Sequence, residues 1–248
     1  MAREFRFDEN VSEKQLNFQS TSLIIPSITR TRIHNSMYYK ANLDTASLRG
    51  NSMLQLSKTM LHELGTCRGI QSQKGIVCGG VEFKCLLMKL IHIRPTWAQL
   101  LVILQKGHEK HSRFDNKYLV VLVLTYLRLQ YYFLSKPSEV LNITSIRDFD
   151  KDQDVTAENL KSLLLLYIRD YRKVKCMALD ADCWSQGGLQ KVEIRHIDEI
   201  VDWLCTESQI WALPLGQCQW CDIYAENEDE DDSDSETESS ESESDDDG

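Results

Sequence analysis

Proline and glycine are scarce, with 4 and 11 among 248 residues. That shortage argues against a turn-rich all-β chain and favours long uninterrupted segments. Long apolar runs are lacking too. The best is Tyr118–Leu134, 17 residues broken by Arg128 and Gln130, where a spanning helix needs about 20 apolar residues. It reads instead as a core helix. The start, Met1-Ala2-Arg3-Glu4-Phe5-Arg6-Phe7-Asp8-Glu9, has no apolar stretch of the kind a secretory signal carries. With no signal, the eight cysteines read as reduced thiols of an intracellular protein. No repeat of 20–50 residues, as in solenoid arrays, stands out.

Charge is plentiful and unevenly placed. The net charge is −10, yet residues 1–114 hold 16 bases against 8 acids. Residues 226–248 hold 14 acids and no base, and contain nothing apolar that could offset chain entropy. The chain thus divides into a folded body, 1–225, and a disordered acidic tail, 226–248. Ser135–Val155, polar and rich in aspartate, reads as a surface insertion.

Helical spacing dominates the body, so the fold class is mainly α: one multi-helix, bundle-like domain. Met53, Leu56, Met60 and Leu64 recur at intervals of 3, 4 and 4 after a cap at Asp44 or Thr45. Val81–Ile93 is nearly all apolar, and Trp97–Leu104 follows Pro95-Thr96. Asp115 caps Lys117–Leu134, hydrophobic on almost every side and therefore central. Thr156 caps a stripe of Leu160, Leu163, Leu164, Tyr167, Tyr171 and Val174, with Arg169, Arg172 and Lys173 at its C-terminal end, where the helix dipole favours bases. His196–Gln209 forms the last helix. Between these two, Leu189–Arg195 alternates like a strand beside Gly187-Gly188, so a small β-hairpin lies near 176–195.

Tests for chemistry come out against an enzyme. Gly69 and Gly75 are five apart and Lys74 precedes the second glycine, whereas a P-loop lysine follows it. Cys218-Gln219-Trp220-Cys221 is a single Cys-x2-Cys pair, and His108 and His111 have no third ligand beside them. No Gly-x-Ser-x-Gly elbow occurs. His196-Ile197-Asp198 reads as a helix start with acids in the first turn. No catalytic residue, metal or cofactor is assigned.

Two surface patches remain. From Lys14 to Leu43 there is no acid, and Arg30, Arg32 and Lys40 with Tyr38 and Tyr39 could meet a partner protein or neutralise and stack on RNA. Asp198, Glu199 and Asp202 with Trp203 form an acidic patch suited to a basic partner helix. For both patches the competing reading is fold maintenance, with buried aromatics and solvated charges. In the tail, Ser233, Ser235, Ser240, Ser242 and Ser244 each precede an acid by three residues, a setting for acidophilic kinases, and each phosphate would add about −1.5 to −2 charges.

Ordered segments then point to a family. Arg32-Ile33-His34-Asn35-Ser36-Met37-Tyr38-Tyr39-Lys40, Gly79-Gly80-Val81-Glu82-Phe83-Lys84-Cys85-Leu86-Leu87-Met88-Lys89-Leu90 and Arg94-Pro95 resemble the pre-mRNA-splicing factor 38 family. So do Lys117-Tyr118-Leu119, Tyr126-Leu127-Arg128-Leu129, Asp170-Tyr171-Arg172-Lys173, His196-Ile197-Asp198-Glu199-Ile200-Val201-Asp202-Trp203-Leu204 and Leu213-Pro214-Leu215. They follow the family's order across about residues 10–220, and the tail resembles the budding-yeast type. The resemblance implies a nuclear, helical, non-enzymatic scaffold of the spliceosome. It would join with the U4/U6.U5 tri-snRNP and be needed when the pre-catalytic complex is activated and U4 leaves. It implies three protein partners: a small zinc-finger splicing protein, a microfibrillar-associated-protein-1-like factor and the large central spliceosomal protein. A direct RNA-binding factor at U4/U6 is the alternative. The Gly65–Gly80 loop and the 135–155 insertion match the family poorly.

Overall fold

The structure, a computed structural model, describes residues 25–42, 52–67, 76–93, 95–105, 114–134, 157–177 and 192–215. Its helices are α1 (Ser27–Asn35), α2 (Met37–Asn42), α3 (Met53–Leu64), α4 (Val81–Ile93), α5 (Trp97–Gln105), α6 (Lys117–Leu134), α7 (Ala157–Tyr167) and α8 (Ile197–Thr206). Short strands join them: β1 (Thr66–Cys67), β2 (Phe114–Asp115), β3 (Lys173–Met177), β4 (Val192–His196), β5 (Gln209–Ile210) and β6 (Leu213–Pro214). They pair as three separate antiparallel couples, β1–β2, β3–β4 and β5–β6. The mainly helical class and the hairpin match expectation. The 135–155 insertion and the acidic tail lie outside the described residues.

Helix α6 is the axis. Every residue from Leu119 to Leu129 is buried, and α3, α4, α5, α7 and α8 all pack against it. Each such leucine or valine contributes about 1.5–3 kcal/mol relative to an exposed position. Its polar interruptions are answered inside the bundle. Thr125 donates to the Val121 carbonyl at 2.7 Å. Arg128 is fully buried, and its Nε donates to the Leu204 carbonyl at 2.7 Å. That carbonyl lies in the last turn of α8, where no intrahelical donor remains and the dipole favours a cation. Asn116, just before α6, does the same for α5, donating to the Leu104 carbonyl at 2.7 Å.

One cap and one boundary differ from the sequence reading. The cap of α3 is Ser52, whose hydroxyl accepts from the Gln55 N–H at 3.3 Å. Asp115 does serve α6, accepting from the Lys117 N–H at 3.1 Å. Helix α7 stops at Tyr167, before Tyr171 and Val174 can continue its stripe. The break has a cause. The Asp170 carboxylate accepts from the Arg172 N–H at 3.1 Å and from its guanidinium at 2.6–3.0 Å. Arg172 also reaches Asp115 and Asn116, each at 2.9 Å. The base expected at a helix end instead ties the turn after α7 to the start of α6.

The β5–β6 turn is Trp211-Ala212, both at positive φ (48° and 59°), the two-residue geometry that suits the right-handed twist of a hairpin. It carries the Trp211 indole onto Gly79 and edge-on to Phe83, ring centroids 5.3 Å apart. Gly79 has φ +79°, and a Cβ there would overlap the indole. Glycine is required on both counts.

Candidate interaction surfaces

The basic patch of α1 and α2 is split by the fold. Both helices pack on α4, and that contact takes Arg30 and Tyr39 inward, 9 % and 3 % exposed. Tyr39 lies between the His34 ring, 5.1 Å away, and the Lys89 ammonium, 5.8 Å from its centroid. Lys89 and Lys84 are themselves buried on α4. Tyr38 is half-buried, and burial first, then the charges of Glu63, Cys85 and Glu82, push its phenol upward. Arg32 is half-buried and Lys40 exposed. Ile28 and Met37 stand exposed on the same two helices.

The acidic patch is intact but occupied. Asp198, Glu199, Asp202 and Trp203 all lie on α8, each half-buried. The Glu199 carboxylate turns back to the helix start, accepting from the His196 N–H and facing His196 Nδ1, both at 3.4 Å. Arg195 covers the Trp203 ring at 4.9 Å, pairs with Glu193 at 2.9 Å and lies 3.8 Å from Glu199. Trp203 is therefore shielded on one face by a cation, which adds about 0.5–1 kcal/mol at an exposed site. The two patches sit on different helices and share no residue. Ser233, Ser235, Ser240, Ser242, Ser244, Cys218, Cys221, His108 and His111 lie outside the described residues.

A third surface escapes the sequence reading. Tyr171, Val192 and Ile194 are 69 %, 49 % and 65 % exposed. The β4 alternation placed Val192 and Ile194 on one face, and that face looks outward. The hairpin's inner face is built by Val174 and Cys176 of β3, and the Cys176 backbone forms a parallel β-bridge with Cys78. Burial pushes the Cys78 thiol well up, as it does Cys85, raised to about 12.

The model of the PRP38 family matches residues 14–228. The chain is 46 % identical over 229 residues to pre-mRNA-splicing factor 38 of Saccharomyces cerevisiae, covering 91 % of this chain and 89 % of the relative. In fold it resembles a chain from the crystal structure of the Snu23–Prp38–MFAP1(217–258) complex of Chaetomium thermophilum. That likeness has a TM-score of 0.51 and 19 % identity over 85 % of this chain and 84 % of that one. With its ordered motifs, its helical body and a family match across most of its length, the chain belongs to the PRP38 family.

Proposed function

We propose that this chain is a non-enzymatic scaffold of the spliceosome, working in the nucleus with the U4/U6.U5 tri-snRNP. In this reading it is needed when the pre-catalytic complex is activated and U4 is released. The observation that carries this is the 46 % identity to a pre-mRNA-splicing factor across 91 % of the chain. A Snu23–Prp38–MFAP1 complex as a fold neighbour supports a zinc-finger splicing protein and a microfibrillar-associated-protein-1-like factor as partners, beside the large central spliceosomal protein. The acidic tail, with its five serines, is a proposed phosphorylation segment outside the folded body. A direct RNA reader is favoured less, because burial of Arg30 leaves Arg32 and Lys40 as a thin phosphate-binding set.

Affinity purification of the tagged full-length chain, with and without nuclease, tests the reading. Recovery of U4, U5 and U6 RNAs, with splicing proteins retained after nuclease, is the expected result. Loss of every protein on nuclease treatment would favour the RNA reader. Recovery of no spliceosomal component would overturn both.

A further inference from the structure

Among the described residues, the β3–β4 hairpin is paired on one edge. Cys78 N–H donates to the Lys175 carbonyl at 2.8 Å, and its own carbonyl accepts from the Met177 N–H at 2.9 Å. The Lys175 N–H goes to the Tyr118 hydroxyl at 3.1 Å. The backbone of Lys175 and Met177 is thus spent on the side away from β4. Antiparallel pairing alternates, so Val174 and Cys176 exchange bonds with Arg195 and Glu193, their register partners. The Ile197 N–H to Arg172 carbonyl bond, 3.2 Å, continues the same alternation.

The consequence falls on β4. Val192, Ile194 and His196 turn their backbone groups to the outer edge. The His196 N–H is taken by Glu199, whereas no strand pairs with the outer edge at Val192 and Ile194 among the described residues. The side chains on the solvent face are Lys173, Lys175, Met177, Val192, Ile194 and His196. No carboxylate is among them. Lys173 and Lys175 are exposed and make no ion pair among the described residues. An unpaired edge beside exposed β-branched side chains is a template for another strand.

We propose that the outer edge and open face of β4 dock an extended segment of a partner protein, carrying alternating apolar side chains and flanking carboxylates, by strand addition. The edge groups of Ile194 would bond the incoming backbone, Val192 and Ile194 would pack beside its apolar residues, and Lys173 and Lys175 would meet its acids. The chain's own tail brings acids but no apolar side chain. A second copy offers only the same acid-free face, so it brings nothing to the two lysines. This surface goes beyond the scaffold reading, because the edge exists whatever complex the chain joins.

Fluorescein-labelled peptides of alternating Val and Glu, and of alternating Val and Lys, titrated into the full-length protein by anisotropy, test it. The Glu peptide is expected to bind saturably, and the Lys peptide at least about tenfold more weakly. Ile194→Pro removes the edge N–H at a position where an edge strand tolerates proline. The double variant Lys173→Glu/Lys175→Glu reverses the charge on exposed side chains and leaves the core alone. Each should weaken the Glu peptide by about tenfold or more, the scale of one lost charged or backbone contact. Equal binding of both peptides, no saturable binding, or Glu-peptide binding unchanged in the charge-reversal variant overturns the proposal. So does a concentration-dependent dimer in sedimentation that Ile194→Pro abolishes, which would make a second copy the occupant.

Discussion

Replacing Arg128 by Met removes the guanidinium from the centre of the bundle while keeping an unbranched chain of similar reach. Three terms follow, two against one. The charged hydrogen bond to Leu204 is lost, about 1.5–3 kcal/mol, and the carbonyl at the end of α8 is left buried without its donor, about 1–3 kcal/mol. Against these, the desolvation of a fully buried cation is relieved, and replacing buried ionic groups by well-packed apolar ones is neutral to stabilising in some proteins. Here the acceptor is a backbone carbonyl that cannot be mutated away with its donor, so the orphan persists and the first two terms win. The expected net cost is about 2–4 kcal/mol. In a body of this size that lowers Tm by roughly 4–16 °C, at 2–4 °C per kcal/mol. Urea denaturation followed by far-ultraviolet dichroism measures the free-energy cost, and Arg128→Lys should recover part of it because one cationic donor survives. An Arg128→Met protein as stable as the parent, or more stable, would refute the reasoning, since the guanidinium would then cost as much as it returns.

Gly79→Ala should destabilise by about 2–5 kcal/mol, summing a left-handed backbone penalty of about 1–2 with overpacking of about 1–3 against Trp211. Adding Trp211→Ala should make the second change cost less than it does alone, read by thermal melts of all four proteins in a double-mutant cycle. The Cys85 thiol, held near 12 against an ordinary 9.0, keeps its proton in the folded state while the unfolded chain loses it. Its contribution is therefore full below pH 9 and is lost as pH rises from 9 to 12, at up to about 1.4 kcal/mol per pH unit. Cys85→Ala should flatten that part of the stability–pH profile, measured by urea midpoints. Thiol titration with an aromatic disulfide at pH 8 should leave Cys78, Cys85, Cys176 and Cys205 unreacted until urea is added, because all four are buried.

Helical periodicity and the apolar character of Lys117–Leu134 carry the plan of the fold, because an all-round hydrophobic helix has only one place to go. What misleads is local side-chain chemistry. Tyr171 and Val174 continue the α7 stripe on spacing alone, and only the Asp170–Arg172 bonds end the helix earlier. Val192 and Ile194 alternate as a buried face would, yet Cys78 and α6 claim the other side of β3. In the basic patch, Arg30 and Tyr39 are interface residue types, and packing on α4 turns them inward. Long-range contacts decide the last two cases, and no short window of sequence contains them. Arg128, read as a break in a would-be membrane span, is a helix cap for a partner 76 residues away.

The central position of α6 also bears on how the protein is made. Its last residue leaves the ribosome roughly 70 residues before α8 is complete, which at 5–20 residues per second is about 4–14 s of synthesis. Throughout that interval the face that α7 and α8 will cover is bare, and the Arg128 guanidinium waits for a carbonyl not yet translated. Nascent chains of this protein should therefore bind holdase chaperones most strongly between the emergence of α6 and that of α8, and a premature stop anywhere in that window leaves the face of α6 meant for α8 uncovered.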